Sequence, residues 1–142
     1  MMDRIKLVEN ILTFIPSVFK RLMKAYPNLE ITRQQLGLLF HINCENGKPM
    51  SYYSEKMMIP KSNLTVLSDK LIKEGLAERA FDLGDRRVIT LKITKKGREF
   101  LYEHKEKVKH EILKKLDSLS DADVKRLNEL IEEIREIFDK IE

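Results

Sequence analysis

The sequence predicts a mainly α chain carrying one small β-hairpin, and three observations lead there. Apolar residues recur at helical spacing over most of the 142 residues. Two short stretches, Leu76–Phe81 and Val88–Ile93, break that rhythm and flank the polar connection Asp82-Leu83-Gly84-Asp85-Arg86-Arg87. Just upstream, two helical patterns meet at Ile59-Pro60. Two helices joined by a tight turn and followed by a hairpin make a winged helix-turn-helix. In this chain, further helices stand on both sides of it.

In chain order, Ile5, Val8, Leu12, Ile15, Phe19 and Leu22 alternate spacings of three and four, a heptad-type seam on one helix. Pro16 lies inside the seam, so a kink or two shorter helices are expected there. Tyr26-Pro27-Asn28 ends the element. Thr32 with Gln35 forms a capping box that opens a second helix, with Leu36, Leu39, Phe40 and Asn43 as its stripe. Asn46-Gly47 and Pro49 stop it. Ser51 is expected to cap a short third helix, with Tyr53 and Met57 on one face.

The fourth helix runs from about Lys61 to Glu74 and closes at Gly75, burying Leu64, Leu67 and Leu71. Off that stripe lie Lys61, Ser62, Asn63, Thr65 and Ser68, short or basic hydrogen-bonding residues of the kinds that reach base edges and phosphates. In the second strand, Ile89, Leu91 and Ile93 alternate with Val88, Thr90 and Lys92. Arg86 and Arg87 sit at the hairpin tip, where arginine suits a narrow minor groove, and Asp85 is placed to hold Arg87. Thr94 caps a long helix from Lys95 to about Leu116, with Phe100, Leu101, Val108, Ile112 and Leu116 as its apolar positions. Ser120 with Asp123 caps the last helix. Along it Val124, Leu127, Ile131, Ile134, Phe138 and Ile141 repeat in the heptad manner, widened by Leu130 and Ile137.

The charge is unevenly spread. Residues 48–110 hold 15 Lys and Arg against 9 Asp and Glu, whereas residues 111–142 hold 6 against 10. The basic excess falls on the winged stretch, and double-stranded DNA is the polyanion expected there. The apolar runs are too short for a transmembrane helix, and the N-terminus has no apolar signal core. A single cysteine, Cys44, fits a reducing, cytoplasmic setting.

The order of elements resembles the MarR family of winged helix-turn-helix transcriptional regulators along essentially the whole chain. The resemblance is most specific over residues 70–97, where Gly75, the wing Asp85-x-Arg87 and the stretch Ile93, Thr94 and Gly97 fall in family order. It implies one domain over residues 1–142, with a DNA-binding region at about 32–97 and a helical dimerisation region at about 1–25 and 98–142. It also implies a sequence-specific homodimeric regulator of pseudo-palindromic promoter DNA, most often a repressor released by a small aromatic or phenolic effector. The expected DNA contacts are Lys61, Ser62, Asn63, Thr65, Ser68, Asp85, Arg86 and Arg87. Two positions depart from the pattern. Met58 stands where the bend often has glycine or a small polar residue, which implies a blunter turn, and Leu83 stands where the wing often has proline.

Other chemistries find little in the sequence. Cys44 has no flanking base to activate it and reads as a half-buried structural cysteine rather than a redox sensor. His41 with Cys44 is too small a set for a metal site, and His104 and His110 lie on different helix faces. No phosphate-cradling loop or nucleophile motif marks an enzyme, and no cofactor is expected. The alternatives are a protein-interaction module built on the same fold and a redox- or metal-responsive variant of the regulator.

Overall fold

The computed structural model describes residues 1–23 and 30–141. The expected stop at Tyr26-Pro27-Asn28 lies outside the described residues. Six helices and one hairpin are described: α1 (Met2–Met23), α2 (Arg33–Cys44), α3 (Met50–Met57), α4 (Lys61–Lys73), β1 (Ala77–Phe81), β2 (Ile89–Ile93), α5 (Lys95–Leu116) and α6 (Asp121–Phe138). They divide into two compact units. One comprises Met1–Tyr26 with Val108–Glu142, and the other comprises Pro27–Lys107.

The second unit is built around one core. Leu38, Leu39 and Ile42 of α2, Tyr53 of α3, Leu64, Leu67 and Leu71 of α4, and Leu91 and Ile93 of β2 are all buried. The Thr32 capping box forms as expected: Thr32 Oγ1 accepts from Gln35 N–H at 3.2 Å, and Gln35 Oε1 accepts from Thr32 N–H at 2.8 Å. The α2 stripe, however, is Leu38, Leu39 and Ile42, with Leu36 half-buried, while Phe40 and Asn43 face solvent. The run Leu36-Gly37-Leu38-Leu39-Phe40 allows two helical phases, and packing against α4 and β2 selects the one that buries Leu38. At the start of α3, Pro49 takes the N-cap position and Ser51 lies inside the helix, so the expected serine cap is replaced by a proline entry.

β1 and β2 pair antiparallel from Ala77 opposite Ile93 to Phe81 opposite Ile89. Residues 47–49 extend the ladder: Gly47 N–H donates to Leu91 O at 2.9 Å, Leu91 N–H donates to Lys48 O at 3.1 Å, and Pro49 bridges Thr90. The Tyr53 hydroxyl ties the same corner, donating to Glu45 O at 2.5 Å and accepting from Lys48 N–H at 3.1 Å. Burial pushes the Tyr53 phenol pKa up, so it stays a donor.

The end of α4 is a Schellman motif. Gly75, at φ 74, lets its N–H reach Ile72 O at 3.0 Å while Leu76 N–H reaches Leu71 O at 2.9 Å. Thr94 caps α5 through Gly97 N–H at 2.9 Å and donates its own hydroxyl to Gly75 O at 2.7 Å. A Cβ on Gly97 would lie 2.1 Å from Leu76 O, so the helix can meet the hairpin only through glycine.

The first unit contrasts with this. α1 runs unbroken through Pro16 rather than as two helices. Lys115 Nζ satisfies the last carbonyls of α1, donating to Arg21 O and Leu22 O at 2.8 Å each. Ser120 caps α6 as expected, accepting from Asp123 N–H at 3.1 Å. No described residue of α1 or α6 is buried. The apolar seams of α1 and α6 thus remain exposed in this unit.

Candidate nucleic-acid interface

The bend between α3 and α4 is set by backbone and by one serine. Met58 adopts φ 53 and ψ 44, the left-handed conformation that glycine takes most easily. Its N–H donates to Glu55 O at 3.2 Å and Ile59 N–H to Ser54 O at 3.1 Å, the same 5→2 and 6→1 pair that closes α4. Ser54 Oγ, buried beneath the turn, donates to Ile59 O at 2.7 Å. The blunter turn expected from Met58 is not what forms. The residue takes the glycine-like geometry with its side chain in solvent, at a conformational cost of about 1–2 kcal/mol.

Pro60 then occupies the N-cap of α4 at φ −60 and ψ 150, with no side-chain cap. Lys61, Ser62, Asn63 and Thr65 are exposed in the first turns, opposite buried Leu64, Leu67 and Leu71. Thr65 Oγ1 donates to Lys61 O at 3.0 Å, which leaves that oxygen able only to accept from a ligand. Ser68 is a correction. It is 0% exposed, and its hydroxyl donates to Thr65 O at 2.9 Å. It lies four residues after Leu64 and three before Leu71, so the helical phase places it in the core, where it is out of reach of DNA. Val66 takes the outward position instead. In the sequence this phase shows as a lone apolar residue off the buried stripe.

Across β1, Arg79 forms an ion pair with Asp69 of α4, so the acid on this helix face is neutralised. At the hairpin tip, Gly84 N–H donates to Asp82 Oδ2 at 3.1 Å and Val88 N–H donates to Asp85 O at 3.0 Å. Asp85 holds Arg87 at both ends: Oδ1 accepts from Arg87 N–H at 3.0 Å and from Nε at 3.2 Å, and Oδ2 accepts from Nη2 at 3.3 Å. The Arg87 side chain remains 91% exposed. These bonds, side chain first and backbone second, hold the Asp85 carboxyl pKa below its usual range. Arg86 and Leu83 are exposed beside it.

Lys48, just before α3, and Lys56 on it place their ammonium groups 5.5 and 5.6 Å from the Tyr52 ring centroid, concentrating positive charge there. The Tyr52 phenol pKa is raised, chiefly by its hydrogen bond with Glu45.

Cys44 is a second correction: it is exposed at the end of α2 rather than half-buried, because the phase that buries Leu38 and Ile42 turns position 44 outward. His104 stacks on Phe100 at 6.5 Å, and burial followed by the charge of Lys107 pushes its imidazole pKa down. Among the described residues, no group of three or more His, Cys, Asp and Glu side chains could hold a metal ion, and no helix is long and apolar enough to cross a membrane.

This arrangement of bend, capless polar helix and arginine-tipped hairpin defines a winged helix-turn-helix protein. The MarR family model matches residues 31–89. An uncharacterised HTH-type transcriptional regulator of Bacillus subtilis, YpoP, is 23% identical over 134 residues, covering 92% of this chain and 95% of that protein. The fold matches YusO of Bacillus subtilis with a TM-score of 0.73, at 22% identity over 92% of this chain and 96% of that one. It also matches a mutant MarR from E. coli complexed with operator DNA, with a TM-score of 0.61 at 21% identity over 94% and 97% of the two chains. Residues 31–89 form a MarR-family domain, the domain of DNA-binding transcriptional regulators rather than of enzymes.

Proposed function

We propose that this regulator binds pseudo-palindromic promoter DNA as a cytoplasmic homodimer and represses from it until a small aromatic or phenolic effector releases it. The observation that carries the DNA reading is the open polar face of α4, where Lys61, Ser62, Asn63 and Thr65 have no core to serve. These side chains enter the major groove. Arg87, held by Asp85, and the neighbouring Arg86 reach the flanking minor groove or its phosphates. Residues 32–97 form the DNA-binding region, and residues 1–25 and 98–142 form the dimerisation region. The unburied seams of α1 and α6 support the dimer, since a partner's seams would cover them. The two reading helices then address half-sites about 34–36 Å apart. The MarR structure with operator DNA supports this use of the fold.

The test is a fluorescence-anisotropy titration on DNA from upstream of the protein's own gene, against a scrambled duplex, at several salt concentrations. Specific binding that falls steeply with salt supports the reading. Arg87→Ala should weaken it about tenfold, an effect of the size of one lost charged contact. A well-folded dimer that ignores both duplexes sinks it.

A further inference from the structure

The outward face of α4 carries one aliphatic side chain. At 3.6 residues per turn, Val66 falls about 40° from Ser62 and roughly opposite Leu71, at the middle of the solvent face. It is 68% exposed, and its neighbours one turn away are Ser62, Asn63, Asp69 and Lys70. Packing does not account for a valine here. Nor does helix formation, because β-branching restricts the side chain in a helix and lowers propensity. The position is also free of conflicting charge, since Asp69 beside it is tied to Arg79.

We propose that Val66 is a specificity-determining residue, reading the C5-methyl group of a thymine by apolar contact. The inference rests on α4 occupying the major groove, as proposed above. The thymine methyl is the one apolar group that base edges present in that groove, and an isopropyl group complements it without a hydrogen bond. Valine at this place discriminates thymine from cytosine, whose edge offers a polar amino donor and no methyl. Thr65, able only to accept through its hydroxyl oxygen, suits the amino group of an adjacent adenine or cytosine.

The experiment begins with in vitro selection of bound duplexes by the full-length chain. Each thymine of the selected sequence is then replaced by deoxyuridine, which removes the methyl and keeps the pairing edge. Wild-type protein should lose about fourfold in affinity at one thymine per half-site, the value of one buried methyl. Val66→Ala should be indifferent to that replacement, and Val66→Ile should retain the sensitivity. A thermal melt of Val66→Ala should match wild type, because the side chain is outside the core. Uracil effects that are equal in wild type and Val66→Ala, or absent at every thymine, overturn the inference and leave the major-groove placement standing. A selection that enriches no sequence removes both.

Discussion

In the winged unit, Leu38, Leu39, Ile42, Leu64, Leu71 and Leu91 are sealed from solvent, while in the terminal-helix unit Ile5, Val8, Leu12, Ile131 and Ile134 stay exposed along seams of equal regularity. Periodicity does not separate the two cases. What separates them is whether the chain supplies the opposing surface. Around α4 the opposing surface comes from α2, α3 and the hairpin, all within a few dozen residues. For α1 and α6 no described residue supplies it. This aligned aliphatic surface is what the second copy proposed above would cover.

The largest effect that sharpens this contrast is expected in the winged core. Leu71→Ala should destabilise the unit by about 2–5 kcal/mol, through lost transfer energy and the cavity left behind. Urea unfolding followed by the Tyr53 environment would measure it. A change under about 1 kcal/mol would mean that α4 is not anchored as described.

Next comes Ile134→Glu on α6. In a self-sufficient bundle it would be a surface change of little consequence. In a dimer it places a charge in a desolvated seam and should weaken association by about 2 kcal/mol or more, near thirtyfold. Sedimentation equilibrium reads the outcome. Unchanged association would break the dimer reading and leave the exposed seams unexplained.

Local signals were legible in the sequence. Thr32, Thr94 and Ser120 were recognised as caps because a cap is decided by residues three apart and needs no distant partner. The wing was legible for the same reason, since Asp85 and Arg87 meet within one turn. Ser68 is polar by type but buried by helical phase. A serine that bonds its own backbone can sit in a core without an unsatisfied group. The α2 stripe was ambiguous at root: Leu38 and Phe40 were equally apolar candidates, and only the position of β2 and α4 decides between them. Val66 is exposed but apolar, so residue type alone does not mark it as a base-contacting position.

Met58 offers a smaller and opposite effect within the winged unit. Its left-handed backbone is paid for by the surrounding bonds of Ser54 and Ile59. Met58→Gly removes the steric penalty of about 1–2 kcal/mol but gives the unfolded chain more freedom, so a net gain of about 0.5–1 kcal/mol is expected. A thermal melt that moves downward would show that the freedom gained by the unfolded chain outweighs the strain relieved in the turn.

The smallest effect belongs to the tip of the wing. Asp85 is partly exposed, and its carboxyl pKa is lowered by Arg87. A depressed folded pKa means that the favourable interaction is fully present above the unfolded carboxylate value. It is lost as pH falls through the lower folded value, so neutral pH lies wholly on the paired side. The melting temperature should therefore carry no trace of this pair, given how little exposed ion pairs contribute. The Arg87 Nε–H resonance should instead report it, sharp at neutral pH and averaging as acid protonates Asp85. Asp85→Asn should abolish that acid transition while leaving the fold intact. If the resonance in Asp85→Asn keeps the same acid transition, the arginine is held by some other carboxylate, and the wing is ordered by the rest of the unit rather than by its own turn.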